Sequence, residues 1–375
     1  MAYVWHDGGW MSYRGRAVSC AMRANVYGIC PCSWRKGVDG SCLDLCELSR
    51  ELIPYVKQMG YTHVSLDKRF LEGNEGCAFV DGLHCAGVGV IVSGFSDENG
   101  ADALSWIKEQ HVDGLVLPDG EGKLEQIIKK ELPELLLLKK SRIWTDTVLS
   151  FMKKDPIYRK YHHDELIDAI EQSLGTSSLI AVDGDDVTNG KGSLLNGMYG
   201  DYAEKFAGER LLLAHMMTLP AKKLLFMGAE IGQFGEWDPF GQIDWFLLGF
   251  EKHAQLQKYV SDLNMLCLEE SALWGDGLEW LDCSEEMSVI SYMRTDKEGN
   301  ELCVILNFTP VFRRGYVIST GGASYVEAFC SDGEQYGGGG SRNQGILVPC
   351  DHGGKLGISV NIPPLSAIIL KKIKL

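Results

Sequence analysis

The sequence predicts a parallel α/β barrel of the (β/α)8 type, shortened and distorted in its first half, followed by an antiparallel β-sandwich. Three observations carry that reading. From about Asn25 to Ala272, short apolar runs alternate with segments of helical period, as parallel strands covered on both faces by helices require. No glycine-rich phosphate loop follows the first run, which argues against the alternative of a doubly wound open sheet. After Ala272 the chain holds only short strand-like runs bounded by Gly, Pro, Asn and Asp, the texture of a small sandwich. The expected division is a leading segment 1–24, a barrel 25–272 and an all-β domain 273–375.

Taken in order, "NVYGIC" opens the barrel as a strand. Leu45, Leu48, Leu52 and Val56 then recur at helical spacing, and Gly60 ends that helix as a C-cap. "THVSL" and "GVGVIVSG" are the next strands, followed by a helix around "ADALSWIKEQ" and the strand "DGLVLPD". "ELLLLKK", a polar loop with a helix, "SLIAVDGD", a helix around "ERLLLAHMM" and "KKLLFMGAE" complete the alternation. Leu256, Val260, Leu263 and Cys267 mark one more amphipathic helix. Seven strands are clear, with room for an eighth. Beyond Ala272 the strands are "SVISYMRT", "ELCVILNFT", "GYVIST", "SYVEAFCSD", "GILVPC", "KLGISVNIPP" and "SAIILKK", with "YGGGGSRNQG" as a loop among them.

Bulk properties narrow the function classes. With 375 residues, 45% hydrophobic and 23% charged, the chain has the composition of a soluble globular protein. A formal net charge of −15 argues against nucleic acid or anionic lipid as a partner, since phosphate neutralisation needs clustered Lys and Arg. A neutral partner such as a sugar is compatible with it. The start "MAYVWHDGGWMSYRGRA" lacks the layout of a signal peptide, and no apolar run reaches membrane-span length. A cytoplasmic location follows as the expectation, with all twelve cysteines reduced. Cys30, Cys32, Cys42 and Cys46 are spaced as CxC and CxxxC, a poor match to paired CxxC zinc knuckles, so thiols are favoured over a metal site. No metal or cofactor is expected.

Several long motifs then agree in order. "MKKDPIYRKYHHDEL", "GKGSLLN", "KKLLFMGAEIGQFGEWDP", "IDWFLL", "LNFTPV" and "SDGEQYGGGG" resemble bacterial 1,4-α-glucan branching enzymes of the α-amylase superfamily. So do "RELIPYVKQMGYTHVSL" and "NVYGICPCSWRK". The resemblance covers nearly the whole chain and is tightest from Met152 onward. It implies a barrel that cleaves an α-1,4 glucan and rejoins it through an α-1,6 bond. It also implies that "VWHDGGWM" is the trailing edge of an N-terminal β-sandwich, making residues 1–24 a remnant.

Retaining transfer needs two carboxyl groups roughly 5–5.5 Å apart, a nucleophile and an acid/base, presented from strand C-termini. The family's fourth strand reads Asp-Gly-Leu-Arg-Val-Asp; here "DGLVLPD" places Val116 at the arginine and Pro118 at the nucleophile. Asp119 lies one residue further, and a one-residue shift points a strand side chain to the other face. At the fifth strand the family's Ala-Glu-Glu becomes Lys139 and Lys140, with Lys139 taken as the acid/base position. A lysine there adds positive charge beside an oxocarbenium-like transition state. At the seventh, Ser-His-Asp-Glu becomes Asp183 to Asp186: Asp185 is kept and Gly184 replaces the histidine. After the third strand, Ser93 and Gly94 replace a sugar-binding aspartate and its neighbour. The stretch between "THVSL" and "FVDGLHCAG" is also shortened.

The expectation is a branching-enzyme-like protein without transferase activity that keeps a role in glucan binding or in association with other glycogen-metabolism proteins. The enzyme alternative is an active branching or hydrolysing protein using Asp119 and Asp185. A gene relic or a partner subunit of a complete enzyme are further alternatives. The resemblance makes Trp237, His162, His163 and Lys191 candidates for substrate contact. Against this, Trp237 and Trp245 could brace the loop after the last strand, and the two histidines could serve the helix start or its packing. Asp183, Asp185 and Asp186 read first as a solvated acidic loop, with a Ca²⁺ or sugar site as the lesser alternative. His84 and Cys85 as a dyad is weak, because "LHCAGVGV" reads as a helix-to-strand corner.

Overall fold

The computed structural model describes residues 3–16, 23–96, 100–118, 120, 122–175, 178–351, 353–354 and 356–373. Helix α1 (Gly8–Arg16) precedes β1 (Asn25–Gly28), the single turn α2 (Pro31–Trp34) and α3 (Leu45–Gln58). Asp44 starts α3 with a capping box: its carboxylate accepts from the Glu47 amide at 2.8 Å, and the Glu47 carboxylate accepts from the Asp44 amide. Leu48, Leu52 and Val56 bury one face of that helix, and Gly60 leaves it at φ 75°. The order continues β2 (His63–Asp67), α4 (Gly73–Cys85), β3 (Gly89–Ser93), α5 (Gly100–Gln110), β4 (Gly114–Val116), α6 (Lys123–Glu131) and β5 (Leu136–Lys140). Three helices follow, α7 (Arg142–Lys153), α8 (Pro156–Arg159) and α9 (His163–Glu171), then β6 (Ser178–Val182), α10 (Leu194–Gly197), α11 (Tyr202–Thr218), β7 (Lys222–Phe226) and α12 (Glu251–Glu269).

The seven strands pair in parallel and close on themselves, β7 returning to β1 with Leu224 beside Val26. The ring therefore closes without an eighth strand among the described residues. It can do so because β5 pairs β6 directly, Lys140 beside Leu179, although three helices intervene in sequence. The shortening between β2 and β3 does not disturb their ladder, which runs in register from His63–Gly89 to Asp67–Ser93. The weak point lies one strand later: β4 meets β3 over two residue pairs, as β5 meets β6. Side chains obey the period of two. Val26, Ile91, Leu138, Leu179, Ala181 and Leu224 fill the barrel interior, while Leu115, Leu137, Ile180 and Leu225 face the surrounding helices.

The remaining strands are β8 (Gly277–Ser284), β9 (Val289–Thr295), β10 (Glu301–Asn307), β11 (Arg313–Ile318), β12 (Tyr325–Cys330), β13 (Ile346–Leu347), β14 (Cys350–Asp351), β15 (Leu356–Ile362) and β16 (Ser366–Lys372). They form a six-stranded sheet, β13-β12-β16-β10-β9-β8, and a three-stranded one, β11-β15-β14. The larger sheet is the middle layer. On β10, Leu302, Val304 and Leu306 enter the core shared with the barrel, while Cys303 and Ile305 face the smaller sheet. Buried arginines tie the layers: Arg159 Nη1 donates to the Phe308 carbonyl at 2.8 Å and Arg210 Nε to that of Ser331 at 2.8 Å.

The expectation of twelve reduced thiols needs one correction. Cys32 and Cys42 form a disulfide, their Cα atoms 4.6 Å apart. The turn α2 and an isolated antiparallel bridge between Lys36 and Cys42 fold this loop back on itself and bring the two together. That removes two of the four candidate zinc ligands, and Cys30 and Cys46 remain free.

Candidate functional site

At the C-terminal ends of the strands, where a barrel gathers its chemistry, lies a cavity of about 410 Å³. Every strand contributes to its wall, from Gly28 of β1 to Phe226 of β7. The alternation seen below the mouth decides which side chains enter it. On β4, Leu115 and Leu117 pack outward, so Val116 and Pro118 fall on the inner face, and both line the cavity. Pro118 thus stands on the barrel axis side, where a nucleophilic carboxylate would have to point. Asp119 lies outside the described residues.

On β5, Leu136 and Leu138 face inward, so the next inward residue is Lys140. Lys139 is exposed and does not line the cavity, whereas Lys140 does. The Lys140 side chain is 10% exposed, and its ammonium donates to Asp183 Oδ2 at 2.8 Å and to Asp186 Oδ2 at 2.7 Å. Burial works against the Lys140 cation, but the two carboxylates outweigh it and raise its pKa. Asp186 is also shifted upward, by burial first and by the Asp183 charge second, with Lys140 offsetting part of this. The two aspartates complete a capping box at the end of β6: Asp183 accepts from the Asp185 amide at 3.1 Å, and Asp186 from the Asp183 amide at 2.9 Å. Both carboxylates are thus bound by a single ammonium. A lysine kept protonated in this way donates hydrogen bonds and does not cycle protons near pH 7.

Asp185 is exposed at the rim of the same cavity. Beside it, Gly184 faces space already occupied. A Cβ built there would approach Phe226 Cζ and Trp237 Cζ3, each at 3.1 Å. These rings meet edge to face with centroids 4.9 Å apart, and Trp237 Nε1 donates to Ser33 Oγ at 2.9 Å. A histidine at 184 would require the aromatic pair to move. Across the mouth, Ser93 lines the cavity, while Gly94 takes φ 90° with Asp67 Oδ1 only 2.8 Å from the place of a Cβ. Asp67 is committed to capping, accepting from the Arg69 amide at 2.9 Å.

The other candidates scatter. Trp237 lines the cavity, whereas Trp245 braces the loop after β7, packing edge-on against Trp34 and Tyr55 and donating to the Trp34 carbonyl at 2.7 Å. His162 pairs with Glu165 at 2.9 Å at the start of α9, and His163 is buried there, its pKa lowered by burial. Neither lines the mouth. Lys191 lies just outside it and donates to the Asp185 carbonyl at 2.7 Å. His84 and Cys85 are not a dyad. His84 is buried at the end of the barrel opposite the mouth, with Nδ1 2.9 Å from Asp7 and Nε2 2.8 Å from Asp113. Burial opposes its charge, yet Asp113 and Asp7 together raise its pKa. Trp10 Nε1 donates to Asp113 at 2.8 Å, and Arg14 sits beside the same carboxylate. Cys85 is exposed and takes no part in that cluster.

The lysine–aspartate triad was not recognised in the sequence. Counting by twos from Leu136 along "LLLLKK" reaches Lys140, and "DGDD" at the next strand supplies its partners, but the starting point of that count is fixed only by Leu136 and Leu138 facing inward.

Comparison with known proteins places this architecture. Residues 280–373 match the model of the alpha amylase C-terminal all-beta domain. A 1,4-alpha-glucan branching enzyme of Thiobacillus denitrificans is 30% identical, across 98% of this chain and 68% of its own length. That of Halothermothrix orenii is 29% identical, across 92% and 76% respectively. The first alignment runs over 501 positions, more than this chain possesses, so the relative carries internal stretches missing here. A pullulanase from Bacillus acidopullulyticus superimposes with a TM-score of 0.69 at 13% identity, covering 94% of this chain and 61% of its own. An alpha-amylase from H. orenii does so at 0.64 and 14%, covering 94% and 99%; these two speak for the fold alone. Among the described residues no helix is long and apolar enough to cross a membrane. With its barrel, its all-β C-terminal layer and these relatives, the chain belongs to the 1,4-alpha-glucan branching enzyme family of the α-amylase superfamily.

Proposed function

We propose that this protein binds α-glucan of the glycogen or amylose type without transferring it. The observation that supports the reading most directly is the Lys140–Asp183–Asp186 triad. Two aspartates at the end of β6 share one ammonium, on a barrel whose β4 presents Pro118. Glycosyl transfer needs a free carboxylate and a carboxylic acid facing each other across the sugar. Among the described carboxylates at or beside the mouth, Asp183 and Asp186 share the one Lys140 ammonium and come from one loop, Asp67 caps a turn, and Asp185 stands on the rim. The cavity keeps what a sugar needs for binding: donors, acceptors and the ring of Trp237. The division at 272/273 belongs to the same proposal, with the β layer as a support for the barrel.

The test is incubation of the purified protein with amylose, reading the iodine spectrum and α-1,6 branch points. Neither changes, because losing both catalytic carboxyls removes many powers of ten in rate. Pro118→Asp alone and Lys140→Glu alone remain inert, since nucleophile and acid/base act as a unit. Branching by the unmodified protein, abolished by Asp119→Asn, would instead establish an enzyme with rearranged carboxylates.

A further inference from the structure

Outside the mouth, Tyr199 separates two concavities. One, of about 410 Å³, is walled by Lys153, Lys191, Gly192, Asn196 and Lys205 together with Tyr199. The other, of about 360 Å³, lies where α8 and the start of α11 approach the turn between β10 and β11; its wall includes Asp155, Ile157, Glu204, Glu286 and Val311, again with Tyr199. Tyr199 is 41% exposed. Its hydroxyl donates to Asp155 Oδ2 at 2.7 Å and its amide to the Met152 carbonyl at 3.3 Å. The ring is therefore an exposed aromatic wall held at both ends.

The two sides differ in chemistry: the first is lined by lysines without a carboxylate, the second by three carboxylates with a single lysine, Lys160. On the first, Lys191 donates to the Asp185 carbonyl, Lys205 to the carbonyls of Asn196 and Met198, and Lys153 to the Lys191 carbonyl. Among the described residues none of the three ammonium groups pairs with a carboxylate. Each has three N–H groups, so donors remain. On the second side, Asp155, Glu204 and Glu286 supply acceptors, and Ile157 and Val311, 64% and 47% exposed, supply apolar surface. An anionic ligand would meet the carboxylates, and a cationic one the lysines. A neutral polyhydroxylated chain is served by both, with donors and acceptors for its hydroxyls and a ring face for its C–H surface. Lys191 reaches the backbone of Asp185, so the first concavity begins at the rim of the mouth.

We propose that Tyr199 is the platform of a second carbohydrate site, a track for an α-glucan chain running from Lys191 at the mouth rim to Val311 at the barrel–sheet seam. This rests on the reading that the protein binds glucan. The experiment is native electrophoresis through glycogen-loaded gels, with melting curves to verify folding, for the unmodified protein and for Tyr199→Ala, Ile157→Ser and Trp237→Ala. The expected result is retardation of the unmodified protein, weakened about five- to ten-fold in apparent affinity by Tyr199→Ala, as loss of one ring contact implies. Ile157→Ser weakens it in the same direction; because Ile157 is so exposed, this variant decides the matter if Tyr199→Ala misfolds. Wild-type retardation in both variants, with loss in Trp237→Ala, overturns the track and leaves glucan binding at the mouth. No retardation of the unmodified protein overturns glucan binding and the track together. Retardation by a polyphosphate gel but not by glycogen overturns the track in favour of an anion site on the lysines.

Discussion

Glu209 on α11 is fully buried, and neither carboxylate oxygen has a hydrogen-bond partner among the described residues. Burial, joined by the nearby Glu230, pushes its pKa well above the ordinary value of 4.5. The folded protein thus holds a proton that the unfolded chain releases above that value, and stability falls as pH rises through the window. Glu209→Leu should raise stability at pH 7 by about 1–3 kcal/mol, with the gain shrinking toward pH 4.5. Denaturant titrations at pH 5 and pH 8 would show it; a gain equal at both would sink the argument. His215 acts from the acid side. Burial lowers its pKa to about 3, so stability is lost as pH falls below its unfolded value of 6.5. The mouth shows how far single residues could be read from sequence. Pro118 and Gly184 were legible because each falls, in a motif that the resemblance aligns, on a position where the family carries a side chain of the reaction. Lys140 was not, because a pair of lysines at a strand end leaves the phase open until Leu136 and Leu138 are known to point inward.

The element most open to local unfolding is the β4–β5 pair. It is joined to β3 by two residue pairs and to β6 by two, against five between β2 and β3 and four between β7 and β1. Few ladder bonds and short strands lower the free energy of local opening. Backbone amides of Gly114–Val116 and Leu136–Lys140 should exchange with deuterium faster than those of β2, β3, β6 and β7. Uniform protection around the ring would refute this. The shortened stretch before "FVDGLHCAG" had pointed to distortion between β2 and β3. Helix α4 spans that connection with its own buried face, Phe79, Val80 and Leu83, and so keeps the ladder in register. Sequence showed which strands exist because each is a continuous apolar run. It did not show that β5 and β6 would join, since that pairing depends on α7 to α9 packing outside the ring.

Across the whole molecule, the six-stranded sheet and the barrel helices share one hydrophobic core. Ile290, Tyr292, Val304, Leu306, Phe308 and Ile369 belong to the same cluster as Phe151, Met152 and Leu212. Tyr292 and Thr218 join hydroxyls at 2.6 Å, and Arg294 donates to the carbonyl of Thr218. Separating the two parts would expose that core and strand these polar groups. Calorimetry should therefore give a single unfolding transition whose van't Hoff and calorimetric enthalpies agree. Two resolved transitions would mean that the β layer is an independent body. The change of texture at Ala272 was visible in sequence; the shared core was not, because alternation along β10 looks the same whether its second face meets water or another layer.

The cluster of His84, Asp7 and Asp113 sets an address for anything attached ahead of Tyr3. It fastens the leading segment to the barrel end remote from the strand C-termini, with Trp10 and Arg14 reinforcing the hold. A tag, a surface linker or a fused module at that end would therefore leave the protein on the side away from the mouth. Tethered to a sensor chip this way, the molecule should present its mouth and Tyr199 to solution, with the anchor out of the ligand's path.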